Sequence, residues 1–523
     1  MIIKTSNILL YFSLLLIIGV NVILRFYNLG YSEFQGDEIA VLNVTNYDFR
    51  DFIYIIRQQL KGPGQYVVVY LLSIINPYFN LSDEIYFRVV FSFASFLGFL
   101  FISLAYLRVF KIKLLVINLI VLSGAGILYG LSRIVQYQSF IILSYGLAIL
   151  SISYYLDNRK KVYLLLSGFF VFSGSIFHYD ILLLGIVLPI FLYITRQRKL
   201  SIYFAGMLFG GIAACYVLFF GYNGLSTVFD YIINKRLNSI EELDAFYYSV
   251  KLMNLYIPKE VLVILAFGII FYFFNKFRFK KLLLLIFLSI LVVFALRYVN
   301  VKPNQFYKYI NLVLVLVLLF FGYAKKYIKH GNIADKFMIL NELLLWVGIL
   351  VYLVVMSRPL SHIYILAIPA SVISSYAIYN LKSNIKTVLL VVYIISATTF
   401  YYQVYVSSEP EYPWEKKYYM FGVMKSIGIN NRLDGVFGFL YNRDWDDINR
   451  KVNVYSQMNN IKNYYTNENK ISRYYIRNLE YSKNRPYLYI HITRPSLLRP
   501  QEAIFSHYLR LEQNEKYSIY LVN

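Results

Sequence analysis

Two carboxylates stand side by side at Asp37-Glu38, directly behind Gly36, in a stretch that is otherwise aromatic and aliphatic (25–45, RFYNLGYSEFQGDEIAVLNVT). A carboxylate so placed can accept a proton from an acceptor hydroxyl or amine. Downstream, Lys61 opens KGPGQY, and a lysine there can neutralise the phosphate of a departing lipid-linked group. Other candidate groups come singly between apolar runs: Arg133 in SRIVQYQSF, the triplet His178-Tyr179-Asp180, Arg297, Lys302 and Lys308, and Arg358 with His362 in SRPLSHIYILAIP. Each has a simpler alternative. The acid pair can be a solvated loop, the cations can meet lipid headgroups, and His and Tyr can anchor span ends at the interface. The five histidines show no paired ligand spacing, so no metal and no cofactor are expected. A divalent ion at Asp37/Glu38 stays open as an alternative.

The elements that must position these groups are membrane spans. Of 523 residues, 59% are hydrophobic and 15% charged, against about 25% charged in soluble domains. The net charge of +23 comes from Lys and Arg gathered in short clusters between apolar runs. That is the pattern of cytoplasmic loops facing anionic lipid, not of a nucleic-acid surface, and no nucleic-acid partner is expected. The one cysteine, Cys215, excludes a disulfide within the chain. Runs of spanning length occur at 8–24, 88–107, 114–131, 136–156, 161–177, 180–195, 200–220, 259–275, 281–297, 305–323, 337–356, 362–380 and 386–404. A further run, 65–75, is too short to cross and suits an interfacial or re-entrant helix.

Charge tests that count. With thirteen spans, Lys4 and the clusters at 108–113, 159–161, 196–199, 276–281, 325–336 and 382–386 fall on one side, as the positive-inside rule requires. A span at 65–75 would throw most of them outside. The expectation is a plasma-membrane, multi-pass protein with a cytoplasmic amino terminus. Its membrane domain covers 1–406 and an extracytoplasmic α/β domain covers 407–523. The first outer loop, 25–87, would carry interfacial helices at 46–60 and 65–75. In the C-terminal domain, strands are expected at 435–441, 451–456, 486–492 and 517–522, and helices at 414–427 and 500–511. Asp444, Asp446 and Asp447 suit a solvated turn.

The order of three motifs then matters: R-F-x-x-L-x(6)-G-D-E after the first span, K-G-P-x-x-Y from Lys61 to Tyr66, and G-x-L-Y-G-x-S-R from Gly126 to Arg133. Together, over roughly 8–200, they resemble the family 39 glycosyltransferases of the GT-C fold, which include protein O-mannosyltransferases and lipid A aminoarabinose transferases. The resemblance implies an all-α polytopic GT-C membrane protein of about thirteen transmembrane helices with a small C-terminal extracytoplasmic α/β domain. It implies inverting transfer of a hexosyl or pentosyl unit from a polyprenyl-phosphate-linked donor to an acceptor glycan, lipid or protein. Asp37 would be the catalytic base with Glu38 beside it. Lys61 and Tyr66 would meet the donor, Lys61 at its phosphate, and Arg133 would bind substrate. Members often place a second acid five positions after that arginine. Here the position is Gln138, which makes Asp180 a candidate substitute within the substrate-binding set His178, Tyr179, Asp180, Arg297, Lys302, Arg358 and His362. The family's Pro-Pro is reduced to Gly62-Pro63-Gly64. The rival readings are a transporter or flippase of lipid-linked saccharides and a non-catalytic polyprenyl-lipid-binding relative.

Overall fold

Backbone N–H and C=O groups have no water to bond in hydrocarbon, so apolar runs of this length close their hydrogen bonds within helices. The computed structural model describes residues 5–46, 48–58, 62–79, 81–230, 256–276, 332–349, 351–352, 360–406, 417–420, 423–426, 442–493 and 508–523. The chain is a helical membrane protein with a small C-terminal sheet. Its helices are α1 (Thr5–Phe26), α2 (Gly36–Leu42), α3 (Phe49–Gln58), α4 (Gly64–Ile75), α5 (Asp83–Val109), α6 (Ile112–Ser123), α7 (Ile127–Ser132), α8 (Gln138–Asn158), α9 (Lys161–Phe177), α10 (Leu182–Ile194) and α11 (Arg198–Asp230). There follow α12 (259–276), α13 (Ile333–Ile349), α14 (Ala367–Tyr379) and α15 (Ser383–Tyr401).

Among the described residues, five helices are long and apolar enough to cross a membrane: Asp83–Val109, Gln138–Asn158, Arg198–Phe219, His362–Tyr379 and Ser383–Val406. Shorter apolar helices accompany them. The expected runs 281–297 and 305–323 lie outside the described residues. The short run at 65–75 forms α4, and the amphipathic stretch before it forms α3.

The run 114–131, expected as one span, is broken between α6 and α7. Three tyrosines donate to backbone carbonyls at the break. Tyr393 donates to Val121 O at 2.6 Å, Tyr405 to Gly126 O at 3.0 Å, and Tyr401 to Gly124 O. The close approach needs glycine, because a Cβ on Gly126 would come within 1.9 Å of Tyr256 O. A break at this depth is tolerated because protein groups, not lipid, satisfy the backbone.

The C-terminal part pairs β3 (Asn463–Thr466), β4 (Glu480–Tyr481), β5 (Tyr487–Ile492), β6 (Leu509–Gln513) and β7 (Tyr517–Val522) in the order β4-β3-β5-β7-β6. β3 is parallel to β4 and β5; β7 runs antiparallel to β5 and β6. β5 and β7 match two expected strands. Three expectations are corrected. Within 414–427, where a helix is expected, the described residues form two antiparallel strands, β1 (Lys417–Met420) and β2 (Val423–Ser426). Residues 451–456 belong to a helix, α16 (Trp445–Asn459), because Trp445, Ile448 and Val452 bury one helical face that outweighs the local alternation. Residues 509–511 enter β6, not a helix. The expected strand 435–441 lies outside the described residues. A second short helix, α17 (Asn469–Tyr475), follows β3.

The C-terminal part shares a hydrophobic core with the first loop. Phe34, Ile39, Phe52, Tyr66 and Phe87 belong to the same buried cluster as Trp445, Tyr474 and Ile490. Polar contacts tighten the seam. Phe34 N–H donates to the Tyr475 hydroxyl at 2.9 Å, which itself donates to Glu84 Oε1 at 2.7 Å. Glu33 Oε1 accepts from the backbone N–H groups of Arg443 and Trp445.

Candidate active site

The acid pair opens α2, and its two members face opposite fates. Glu38 is fully buried. Its Oε1 accepts from Arg88 Nε at 2.9 Å and from Val135 N–H at 3.0 Å; its Oε2 accepts from Arg88 Nη2 at 2.8 Å and from Gln35 N–H at 3.0 Å. Every direction open to the carboxylate is used. In the structure the Glu38 side chain is an anchor that fixes the start of α2 to α5 and to the turn before α8. Arg88 in turn donates to the carbonyls of Leu29, Ser32 and Glu33, so one guanidinium gathers the whole 29–38 segment.

Asp37 points the other way. It is exposed, and among the described residues neither a hydrogen bond nor an ion pair ties it down. Its charge is felt at Tyr66 near the start of α4. Burial, with Asp37 adding to it and the neighbouring Gln65 side chain partly opposing, pushes the Tyr66 hydroxyl up to about 12. A carboxylate open to solvent on a helix that Glu38 holds in place is positioned as a general base needs to be.

Arg133 is a second anchored cation. It is fully buried and spends its guanidinium on the carbonyls of Leu24, Tyr27 and Asn28, at 2.9, 2.9 and 3.2 Å. It closes the C-terminal end of α1. The turn that follows ties α2 to the group around His178. Val135 N–H holds Glu38, while two residues on, Tyr137 stacks on His178 with ring centroids 3.8 Å apart. Gln138 is buried, and neither atom of its amide finds a hydrogen-bond partner among the described residues. A buried amide left unpaired costs roughly 1–3 kcal/mol, so it is a group ready for a ligand.

His178, Asp180 and His362 come together although 182 residues separate the last two. The turn after α9 carries the first two, and a 3-10 turn (Leu360–Leu366) ahead of α14 carries His362. All three are buried. His362 Nδ1 lies 2.9 and 3.1 Å from the two Asp180 oxygens and His178 Nδ1 lies 3.1 Å from Oδ1. Tyr179 is half-buried with its ring 3.8 Å from that of His178. The turn after Lys61 packs against the end of α9: a Cβ on Gly62 would come within 2.3 Å of Ile176 O. Lys61, Arg297, Lys302, Lys308 and Arg358 lie outside the described residues.

The structure thus brings Asp37, Tyr66, Gln138 and the His178–Asp180–His362 group to one end of the bundle, linked through the 133–138 turn. Sequence reasoning missed Arg88 and Tyr137. Arg88 carried a usable signal, an ionisable residue inside an apolar run, which in a membrane is kept for a partner or a function. Tyr137 carried none.

No family model and no curated protein sequence matches the chain. Among solved structures, the crystal structure of ArnT from Cupriavidus metallidurans bound to undecaprenyl phosphate is similar over 97% of this chain and 97% of that one, with 10% sequence identity and a TM-score of 0.49.

Proposed function

We propose that the chain is a glycosyltransferase that moves a hexosyl or pentosyl unit from a polyprenyl-phosphate donor to a glycan, lipid or protein acceptor at the outer face of the membrane. The observation that carries the reading is the division of labour in the acid pair: Glu38 is buried and fully bonded, while Asp37 beside it is exposed and unengaged among the described residues. Asp37 takes the proton from the acceptor as the sugar leaves the lipid phosphate. Cations from the loops, Lys61 first among them, compensate the charge that grows on that phosphate. The amide of Gln138, buried and unpaired among the described residues, offers both a donor and an acceptor to a sugar hydroxyl. Mass spectrometry of envelope glycans from cells with the chain, without it, and with Asp37→Asn tests the proposal. A sugar unit present only with the intact chain supports it; identical glycans in all three refute it.

One observation favours a second reading, a transporter or flippase of lipid-linked saccharides. Glu342 in α13 is buried with its carboxylate paired to Lys276 of α12 and bonded to Tyr272, and ionisable groups within spans mark transport pathways. On that reading Lys276→Met abolishes function while Asp37→Asn leaves it intact.

A further inference from the structure

The residues that lead into α2 are fixed one after another, and not by the membrane helices alone. Arg88 of α5 takes the carbonyls of Ser32 and Glu33 at 2.8 and 3.0 Å. Glu33 Oε1 accepts the backbone N–H groups of Arg443 and Trp445. Phe34, fully buried, gives its N–H to the Tyr475 hydroxyl at 2.9 Å and sets its ring edge-on to that of Tyr474, with centroids 5.5 Å apart. Gln35 N–H closes on Glu38 Oε2 at 3.0 Å. Asp37 follows in the first turn of α2. Two consecutive residues of this run, Glu33 and Phe34, are thus bonded by groups 410 to 441 positions downstream.

Tyr475, on α17, is the joint in this arrangement. Its hydroxyl accepts from Phe34 and donates to Glu84 Oε1 at 2.7 Å; a hydroxyl that does both can bridge an amide to a carboxylate. Glu84 stands one helical turn before Arg88 on α5, so the two side chains share a face. Arg88 holds the carbonyls of the segment, and Glu84, through Tyr475, secures its next N–H. Phenylalanine at 475 would keep the ring beside Trp445 and Tyr474 but leave the buried Phe34 N–H without its acceptor, and the segment would shift until that amide found another.

We propose that the C-terminal part of the chain is a working part of the transfer site, with Tyr475 the positioning residue that fixes Asp37 through Phe34. The role rests on the reading of Asp37 as the base for sugar transfer. α2 has seven residues, too few to hold a helix without outside contacts, so whatever fixes its start also fixes Asp37. A base acts only within hydrogen-bond reach of the proton it takes, and a shift of about 1 Å in a reacting group costs on the order of a hundredfold in rate.

Two measurements on the full-length chain test the role. The first is the initial rate at which the sugar unit appears in envelope glycans after expression is induced, read by mass spectrometry and normalised to the chain present in the membrane. Tyr475→Phe is expected to lower that rate by about tenfold to a hundredfold, as misplacement of a reacting group does. On an Asp37→Asn background the same substitution is expected to cost less than about twofold, because no base is left to misplace. A side chain that only stabilised the fold would multiply the two losses. The second is hydrogen exchange of protein purified in detergent, where Tyr475→Phe is expected to speed exchange in 33–42 and leave α8 unchanged. Because Tyr475→Phe can loosen the whole seam, both measurements are repeated with Glu33→Ala, which frees the neighbouring residue from Arg443 and Trp445. Losses that multiply with Asp37→Asn for both substitutions, or unchanged exchange of 33–42 in both, overturn the proposal. Glycans lost in Asp37→Asn but made at the wild-type rate in Tyr475→Phe and Glu33→Ala also overturn it and leave the sugar-transfer reading standing. Glycans made at the wild-type rate in Asp37→Asn end the role of Asp37 as base, and this proposal with it.

Discussion

Arg88 grips Glu38 in a two-pronged pair, Nε to Oε1 at 2.9 Å and Nη2 to Oε2 at 2.8 Å, with both side chains sealed from solvent. The pair lies between a membrane-spanning helix and the short helix that presents Asp37, so the most costly electrostatic contact in this region also sets the position of its exposed acid.

Removing the arginine leaves Glu38 buried without a counter-charge. Arg88→Ala is expected to destabilise the protein by about 3–5 kcal/mol. Arg88→Lys should recover only part of this, because an ammonium cannot reproduce the fork. Thermal melting in detergent measures both, and a melting temperature unchanged in Arg88→Ala contradicts the anchoring role.

The neighbouring acids should separate cleanly in kinetics. Asp37→Asn is expected to lower turnover by a factor of roughly 10²–10⁴, the usual contribution of a general base, at unchanged melting temperature. Glu38→Gln is expected to lower the melting temperature. Turnover and melting measured on the same preparations distinguish them. An Asp37→Asn enzyme with wild-type turnover removes Asp37 from the chemistry.

At the seam with the C-terminal part, burial pushes the Glu33 carboxyl above its ordinary range, with Arg443 partly opposing. Folded protein therefore holds this proton to higher pH than unfolded protein does. The group's contribution is fully present below the ordinary glutamate value of about 4.3 and is lost as pH rises through the elevated folded value. Glu33→Gln should flatten that portion of the curve. Melting temperature followed from acid to neutral pH in both proteins gives the comparison, and parallel curves count against it.

Gly62 sits where a side chain has no room, 2.3 Å from Ile176 O and 2.6 Å from Phe177 O measured from an added Cβ. Both neighbours are backbone, so they cannot swing aside. Gly62→Ala is expected to displace the turn that follows Lys61, raising KM for the lipid donor several-fold with a smaller effect on kcat. Steady-state kinetics against donor concentration reads this, and unchanged KM means the turn plays no part in donor binding.

Much of the frame was legible because lipid imposes a strict rule: long apolar runs must be helices, and short ones cannot cross. α3, α4, α8 and α9 fall where hydrophobic spacing put them. The C-terminal part was less legible. KVNVYS alternates like a strand but is held helical by Trp445 and Ile448 upstream, and burial across several turns outweighs a local period.

The sequence by itself determined the membrane class, the short helices α3 and α4 and the acid pair next to the first apolar run, because hydrophobic length and side-chain charge are properties of contiguous residues. Only the tertiary structure decided that Glu38 is an anchor while Asp37 stays open, that Arg133 closes a helix end, and that His362 joins His178 and Asp180. Those outcomes depend on partners 50 to 182 positions away, and the energy of a buried charge is set by which groups surround it in space.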